Sequence, residues 1–529
     1  MVVRTTGEGS DLPSPGDSVP AVNYEVWRSR VDAELRGQTA GQLRRTTPDE
    51  IELEPLYTRE HLDIGLPLPR PAPSSRDWRI WQELTAPAGT AGRAALARER
   101  DRGLAGVWLR LGHDGATAHG LAALLGDALA TGEVDLAIEW AGEPMAGSAV
   151  MVAAILASAR RVETLGGCLG CDPLGALARR GTISGNACEQ LVGAARWTLA
   201  NAPEMRAALV STAHYAEAGA DAVQEIGFAL ATGASALRSL LGVGIAPAEA
   251  VAQILLSLTV GRDLYLQVAK LRAMRLTWGM LLANVDAPPS ATRLHARTAW
   301  RTKGRRDPGS DLVRATVETL AAVLGGADDI TTSPLLDAEE ELALGMALGS
   351  ATQLLLREEV GLARVADAAG GSWYVESLTA QLARRGWELF EGIERRGGMA
   401  RELAVGSIAR QVAEAAERRR RALEEKKLPI VGVTLHPPKQ PVPLPHRPLV
   451  VEAASSPRAS DAGDAQATIL LSGDPESPAF FAAAVEAAAR GATAGAIAAA
   501  VAPGSAPLRA PTLHAWRDAE IFEPAEASA

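Results

Sequence analysis

Cysteine is scarce: Cys168, Cys171 and Cys188 are the only three in 529 residues. That is too few for a disulfide framework, and a chain of this length does not need one. A reducing compartment follows, and a cytoplasmic protein is expected, because the N-terminal stretch MVVRTTGEGSDLPSPGDSVP has no apolar core of signal-peptide length. Long hydrophobic runs are missing too. No segment approaches the ~18 uncharged apolar residues of a membrane span, and Ala-rich stretches such as AFFAAAVEAAAR are short and charged. No membrane partner is expected. Nor is there an excess of positive charge: the net charge is -10 with both signs interspersed, so the basic stripe of a nucleic-acid binder is lacking and no DNA or RNA partner is expected. No GxGxxG follows the first strand-like segment and no P-loop is visible, which leaves a dinucleotide fold or a nucleotide-hydrolysing protein without support.

What the chain does have is apolar material, 47% of its residues and rich in Ala, Leu and Val, ample for a large core in a helix-heavy protein. Residues 1–20 are rich in Gly, Ser, Pro and Asp and read as disordered. Residues 21–75 read as an arm, opening with VNYEVWRSRVDAELRG, where Val22, Val26, Trp27, Val31 and Leu35 mark one face of a helix that stops at Gly37. Further on, short apolar segments (LAGVWLRL, VDLAIEW, VETLGGCLG, MRAALVST) alternate with longer helical ones, and the alternation continues through ATRLHART, DDITTSP and GLARVADAAGG. Repeated βα units imply a parallel sheet, and the strand number suits a closed (β/α)8 TIM barrel over residues 76–430, in the α/β class, with a doubly wound open sheet as the competing count. Residues 431–467 follow as a linker, because PPKQPVPLPHRP has six prolines in twelve residues and excludes helix and central strand. Residues 468–529 then give a helical connector.

Several residues are candidates for chemistry. Cys168 and Cys171 form a lone CxxC, but a closed zinc site needs four ligands and no second pair exists, so small buried residues are the expected reading. His214 lies just past the strand-like RAALVST, at the C-terminal rim where barrel enzymes gather their active groups. An imidazole there can donate to a substrate carbonyl or act as general acid, with Glu217 placed to orient it, or it can simply cap the next helix. Arg293 and His295 stand two apart on one strand and therefore share a face. They suit an anionic group such as phosphate, or form an ordinary surface pair. The run RRRRALEEKK, Arg418 to Lys427, alternates into acid and reads as a solvated helix end.

The segments AEAGADAVQEIGFALATGASALRSLL, QVAKLRAMRLTW, RLHARTAW, LVRATVETLAAVLGGADDITTSPLLD and, above all, DAAGGSWYVESLT resemble the methylmalonyl-CoA mutases in the same order. The opening VWRSRVDAELRG and IELEPLYTRE is similar to that of the family's small subunit. The resemblance implies a barrel that threads acyl-CoA along its axis and a separate C-terminal domain that brings adenosylcobalamin over the barrel mouth. His214 matches the histidine that binds the substrate's thioester carbonyl, and Arg180 matches the carboxylate-binding arginine. Other matched positions depart from the catalytic pattern. Trp81 and Glu83 stand where catalytic chains carry arginine and tyrosine, Gly170 stands for a glutamine, and Ala213 stands for a tyrosine. Tryptophan offers one neutral donor in place of a charged fork, and a carboxylate at Glu83 opposes an anionic acyl group. None of the eight histidines sits in the DxHxxG motif that holds cobalt. The resemblance therefore implies the small, non-catalytic subunit of a heterodimeric mutase, with no metal and no cobalamin domain of its own, partnered by the large subunit. Two alternatives remain: a catalytic acyl-CoA mutase barrel that uses a separate cobalamin chain, and a non-enzymatic mutase-binding protein.

Overall fold

The computed structural model describes residues 23–47, 49–62, 77–86, 89–111, 116–125, 134–140, 142–158, 161–289, 292–304, 307–333, 342–439, 471, 473–502 and 505–523. The expected disordered stretch, the end of the arm and most of the Pro-rich linker lie outside them. Eight strands, all parallel, close into a barrel: β1 (Arg79–Ala86), β2 (Gly106–Leu111), β3 (Asp135–Trp140), β4 (Gly167–Cys171), β5 (Met205–Ser211), β6 (Ile254–Val260), β7 (Arg293–Thr298) and β8 (Asp329–Thr331). Each pairs with its sequence neighbour, and closure comes from β8 on β1, with Asp329 opposite Arg79. Strands buried on both faces read as continuous apolar runs, and all seven residues of β6 (ILLSLTV) are buried.

Helices cover the outside. They include α1 (Tyr24–Glu34), α2 (Gly89–Asp101), α3 (Ala118–Leu125), α4 (Pro144–Ala157), α5 (Pro173–Arg180), α6 (Ala187–Asn201), α7 (Ala213–Ala218), α8 (Ala222–Gly242), α9 (Pro247–Ala252) and α10 (Leu264–Ala283). After them come α11 (Pro308–Leu324), α12 (Leu342–Leu354), α13 (Trp373–Arg395), α14 (Met399–Ala404), α15 (Ser407–Glu424), α16 (Pro478–Ala489) and α17 (Ala494–Val501). No helix among the described residues is long and apolar enough to cross a membrane.

The barrel is the architecture the alternation implies, but two of its strands differ from the segments that suggested it. GLARVADAAGG is not a strand. It is a 3-10 turn, Leu362–Arg364, followed by further turns, entered through Gly361 at φ 73° and left through Gly371 at φ 82°. The missing strands are β1 and β6. The latter lies in a run, EAVAQILLSLTV, that periodicity cannot separate from buried helix.

The N-terminal arm lies along the barrel's exterior. Helix α1 starts at Asn23, whose side chain caps Val26 N, and has no fully buried residue. Its intended apolar face is only partly covered, and Val26 is 55% exposed. The turn that follows reaches the barrel, where Asp49 Oδ1 accepts from Ala222 N, the first residue of α8, at 2.7 Å. At the other end of the chain, residues 505–523 form a strap around the C-terminal rim. Leu508–Arg509 pairs with Thr182–Ile183, and Ala510 N donates to Gly181 O, Leu513 N to Ala178 O, Trp516 N to Glu217 O and Asp518 N to Arg301 O. The strap thus runs from the helix after β4, past α7 after β5, to the loop after β7.

Candidate functional site

The barrel axis is filled in layers. Alternate strand residues face inward, and at the level of Trp81 they form a closed apolar cluster of Trp81, Trp108, Ala137, Cys168, Leu209 and Leu255. Trp108 stacks on His295 with ring centroids 4.5 Å apart and planes 18° from parallel, while Trp81 meets the same imidazole at 6.1 Å, edge-on. Room for the Trp81 indole comes from Gly106 on the adjacent strand, where a Cβ would lie 2.2 Å from the ring. His295 spans Ser257 Oγ and Thr331 Oγ1 at 2.8 Å each. Burial pushes its pKa down to about 3, so the ring is neutral.

One layer toward the N-terminal end, Arg293 grips Asp329 through both Nε (2.5 Å) and Nη2 (3.0 Å), and Arg79 bridges Asp329 and Asp135. Trp81 Nε1 donates to the same Asp329 at 2.9 Å. One layer toward the C-terminal end, Arg110 contacts Glu83 at 3.3 Å, and Arg297 joins Glu83 (3.7 Å) to Glu139 (3.1 Å). Trp108 Nε1 donates to Glu139 as well. Burial alone would raise the Glu139 pKa, but Arg297, Arg110 and Arg179 overrule it and hold the carboxylate far below its usual range.

These partners settle where each sequence candidate stands. Arg293 and His295 do share the lumen face, yet neither is an ordinary surface pair nor free for a phosphate: one is forked onto Asp329, the other is wedged between two indoles. Glu83 is an internal counter-ion of two arginines. Gly170 has φ 73°, and a Cβ there would lie 2.0 Å from Ile138 O, so the irregular β4 backbone admits no glutamine in this conformation. Ala213 is buried as the first residue of α7. Arg180 is exposed at the last turn of α5, whereas its neighbour Arg179 turns to the lumen, 3.8 Å from Glu139 and donating to Trp140 O.

His214 sits at the rim beside this network. The residue is half-buried, but both ring nitrogens are shut off from solvent and neither has a hydrogen-bond partner among the described residues. Burial, reinforced by Arg179, lowers its pKa well below the ordinary histidine value. Glu217 does not orient it. The Glu217 carboxylate accepts instead from Trp300 N (3.0 Å) and Arg301 N (2.6 Å), because the loop after β7 brings two unpaired backbone donors to it. Cys168 and Cys171 are buried thiols, pushed up to about 12 by burial. Among the described residues no group of three or more His, Cys, Asp or Glu could hold a metal ion.

The network of Trp108, Arg110, Glu139, Arg179 and Arg297 was not visible as a site in the sequence. Strand alternation carries the signal for most of it: in GVWLRL, DLAIEW and RLHART, the residues two after Trp108, Ala137 and His295 fall on the face of Glu83.

A methylmalonyl-CoA mutase family profile matches residues 115–504. The chain belongs to the methylmalonyl-CoA mutase family. Its relatives include the methylmalonyl-CoA mutase small subunit of Streptomyces virginiae, 33% identical over 454 residues, which is 80% of this chain and 73% of that protein. The methylmalonyl-CoA mutase small subunit of Propionibacterium freudenreichii subsp. shermanii is 30% identical over 79% of this chain and 69% of its own length. A methylmalonyl-CoA mutase of Cereibacter sphaeroides is 29% identical over 78% of this chain and 64% of its own. The family is one of isomerases that use a cobalamin. Along the rim of this barrel the strap is bonded from the helix after β4 to the loop after β7.

Proposed function

We propose that this chain is the small, non-catalytic subunit of an adenosylcobalamin-dependent methylmalonyl-CoA mutase, acting in a cytoplasmic heterodimer that interconverts (R)-methylmalonyl-CoA and succinyl-CoA. Its task is to stabilise the catalytic large subunit, which holds the cobalamin and the working acyl-CoA site. The arm, including the half-covered α1, is the element that would contact that partner. The observation that carries this reading is the filled axis. A pantetheine chain needs an open shaft, and here the shaft holds two indoles and an imidazole at van der Waals contact, bounded above and below by ion pairs. Clearing it would leave buried charges without partners, which opposes opening strongly.

Co-expression with a candidate large subunit tests the proposal. A one-to-one complex is expected, with isomerase activity unchanged in His214→Ala and with no acyl-CoA bound by this chain alone. Turnover by this chain with only a cobalamin-binding partner, or loss of turnover in His214→Ala with the complex intact, would instead make the barrel catalytic. Failure to form any lasting complex would leave a transient mutase-binding protein.

A further inference from the structure

The run from Arg418 to Lys427 is solvated over its second part, where Arg421 and Glu424 to Lys427 are exposed, but its first three arginines are engaged. Three of its four arginines turn to other parts of the chain, and they reach both of its extremities. Arg419 forks Asp518 of the strap through Nε (2.7 Å) and Nη2 (2.5 Å). Arg262 and Arg301 stand 3.7 and 4.0 Å from the same carboxylate, so one aspartate sits among three guanidinium groups and its pKa is driven down to about 2, against a burial effect that would raise it. Arg420 lies 5.3 Å over the Trp516 ring, whose Nε1 donates to Ala218 O at the end of α7. Gly219 lets these pieces meet: a Cβ there would lie 2.5 Å from Ala416 of α15 and 3.2 Å from Trp516.

One residue earlier, Arg418 faces the arm. It contacts Asp221, the N-cap of α8, at 3.4 Å and Glu50 of the arm turn at 3.9 Å. Asp49, next to Glu50, bonds the first amide of that same helix. Its charge lowers the energy of Arg419 in the charged form and opposes ionisation of Asp221. Arm and strap therefore pull on consecutive residues of one helical turn.

We infer that Arg418, Arg419 and Arg420 form a clasp at the C-terminal rim that couples the N-terminal arm to the C-terminal strap, so that loosening one end loosens the other. A partner that seizes the arm then alters how firmly the strap is held. That consequence rests on the arm's proposed role, whereas the coupling is a property of this chain alone, and the two can fail separately.

Hydrogen exchange followed by mass spectrometry on the full chain tests the coupling. In Asp518→Asn the strap amides of Trp516 and Asp518 are expected to exchange about tenfold faster or more, as befits local opening when a buried charge pair is lost. The arm-turn amides of Glu50 and Ile51 should accelerate with them, while α16, which packs on α4 and α6, stays unchanged. Coupling energies are reciprocal, so the milder Asp49→Asn must in turn accelerate the strap, and it provides the same test if Asp518→Asn fails to fold. Strap acceleration with the arm at its wild-type rate, or an arm change that leaves the strap untouched, overturns the proposal.

Discussion

At the level of single residues, the lumen shows how side chains from different strands fill a barrel axis. Trp81 and Glu83 were singled out in the sequence only through the resemblance, as expected departures from a substrate-binding pattern. That they are working members of a packed plug was not legible, because their partners Trp108, Arg297 and Glu139 come from three other strands. Truncating the stacked ring in Trp108→Ala should destabilise the fold by about 3–5 kcal/mol, the range for a large buried aromatic, read from the urea midpoint. His295 gives the plug a pH dependence. Its unfolded ring takes up a proton near the ordinary value of 6.5 and the folded ring only near 3, so its contribution is complete above about pH 6.5 and is lost as pH falls toward 3. The stability gap between wild type and His295→Asn is therefore expected to narrow over that interval, as denaturation at a series of pH values would reveal. Arg179 marks the limit of register arguments: a helix turns 100° per residue, so matching Arg180 by alignment says nothing about which of two adjacent arginines looks inward.

Among elements, the eight-strand count survived errors that nearly cancelled. The Ile254–Val260 strand was missed because every residue in it is apolar or buried, which erases the period of two that marks a half-buried strand. The false strand at GLARV failed because its flanking glycines adopt positive φ and turn the chain. The β4 strand carries the lesson into prediction. Gly170 has φ 73° and lies against the Ile138 carbonyl, so Gly170→Ala combines strain with a clash, and such sites cost about 1–3 kcal/mol for the backbone alone. A lower melting temperature is expected, with Gly170→Gln doing worse than Gly170→Ala. The run from Arg418 to Lys427 is solvated from Arg421 onward as its charge pattern implies, whereas the engagement of Arg418, Arg419 and Arg420 was hidden because sequence cannot show that this part of the helix faces two distant segments.

For the whole molecule, the plug fills the barrel axis while the strap ties the rim elements together. Restoring the two most conspicuous positions, Trp81→Arg with Glu83→Tyr, should therefore not restore a binding site. Trp108 and His295 still block the axis, and Arg110 and Arg297 lose a counter-ion. Calorimetric titration of that double variant with methylmalonyl-CoA is expected to show no binding, alongside lower stability than wild type. The overall barrel was readable from strand and helix alternation because closure depends on many weak, repeated signals. The state of its interior was not, because it depends on a few contacts between residues far apart in sequence.

Gly106 ties the first two strands together sterically. An indole at position 81 occupies the space that any side chain at position 106 would need, so neither position can change alone without a collision or a void. A side chain larger than hydrogen at 106 is therefore compatible only with a smaller residue at 81, and opening the shaft at this level takes changes on both strands together.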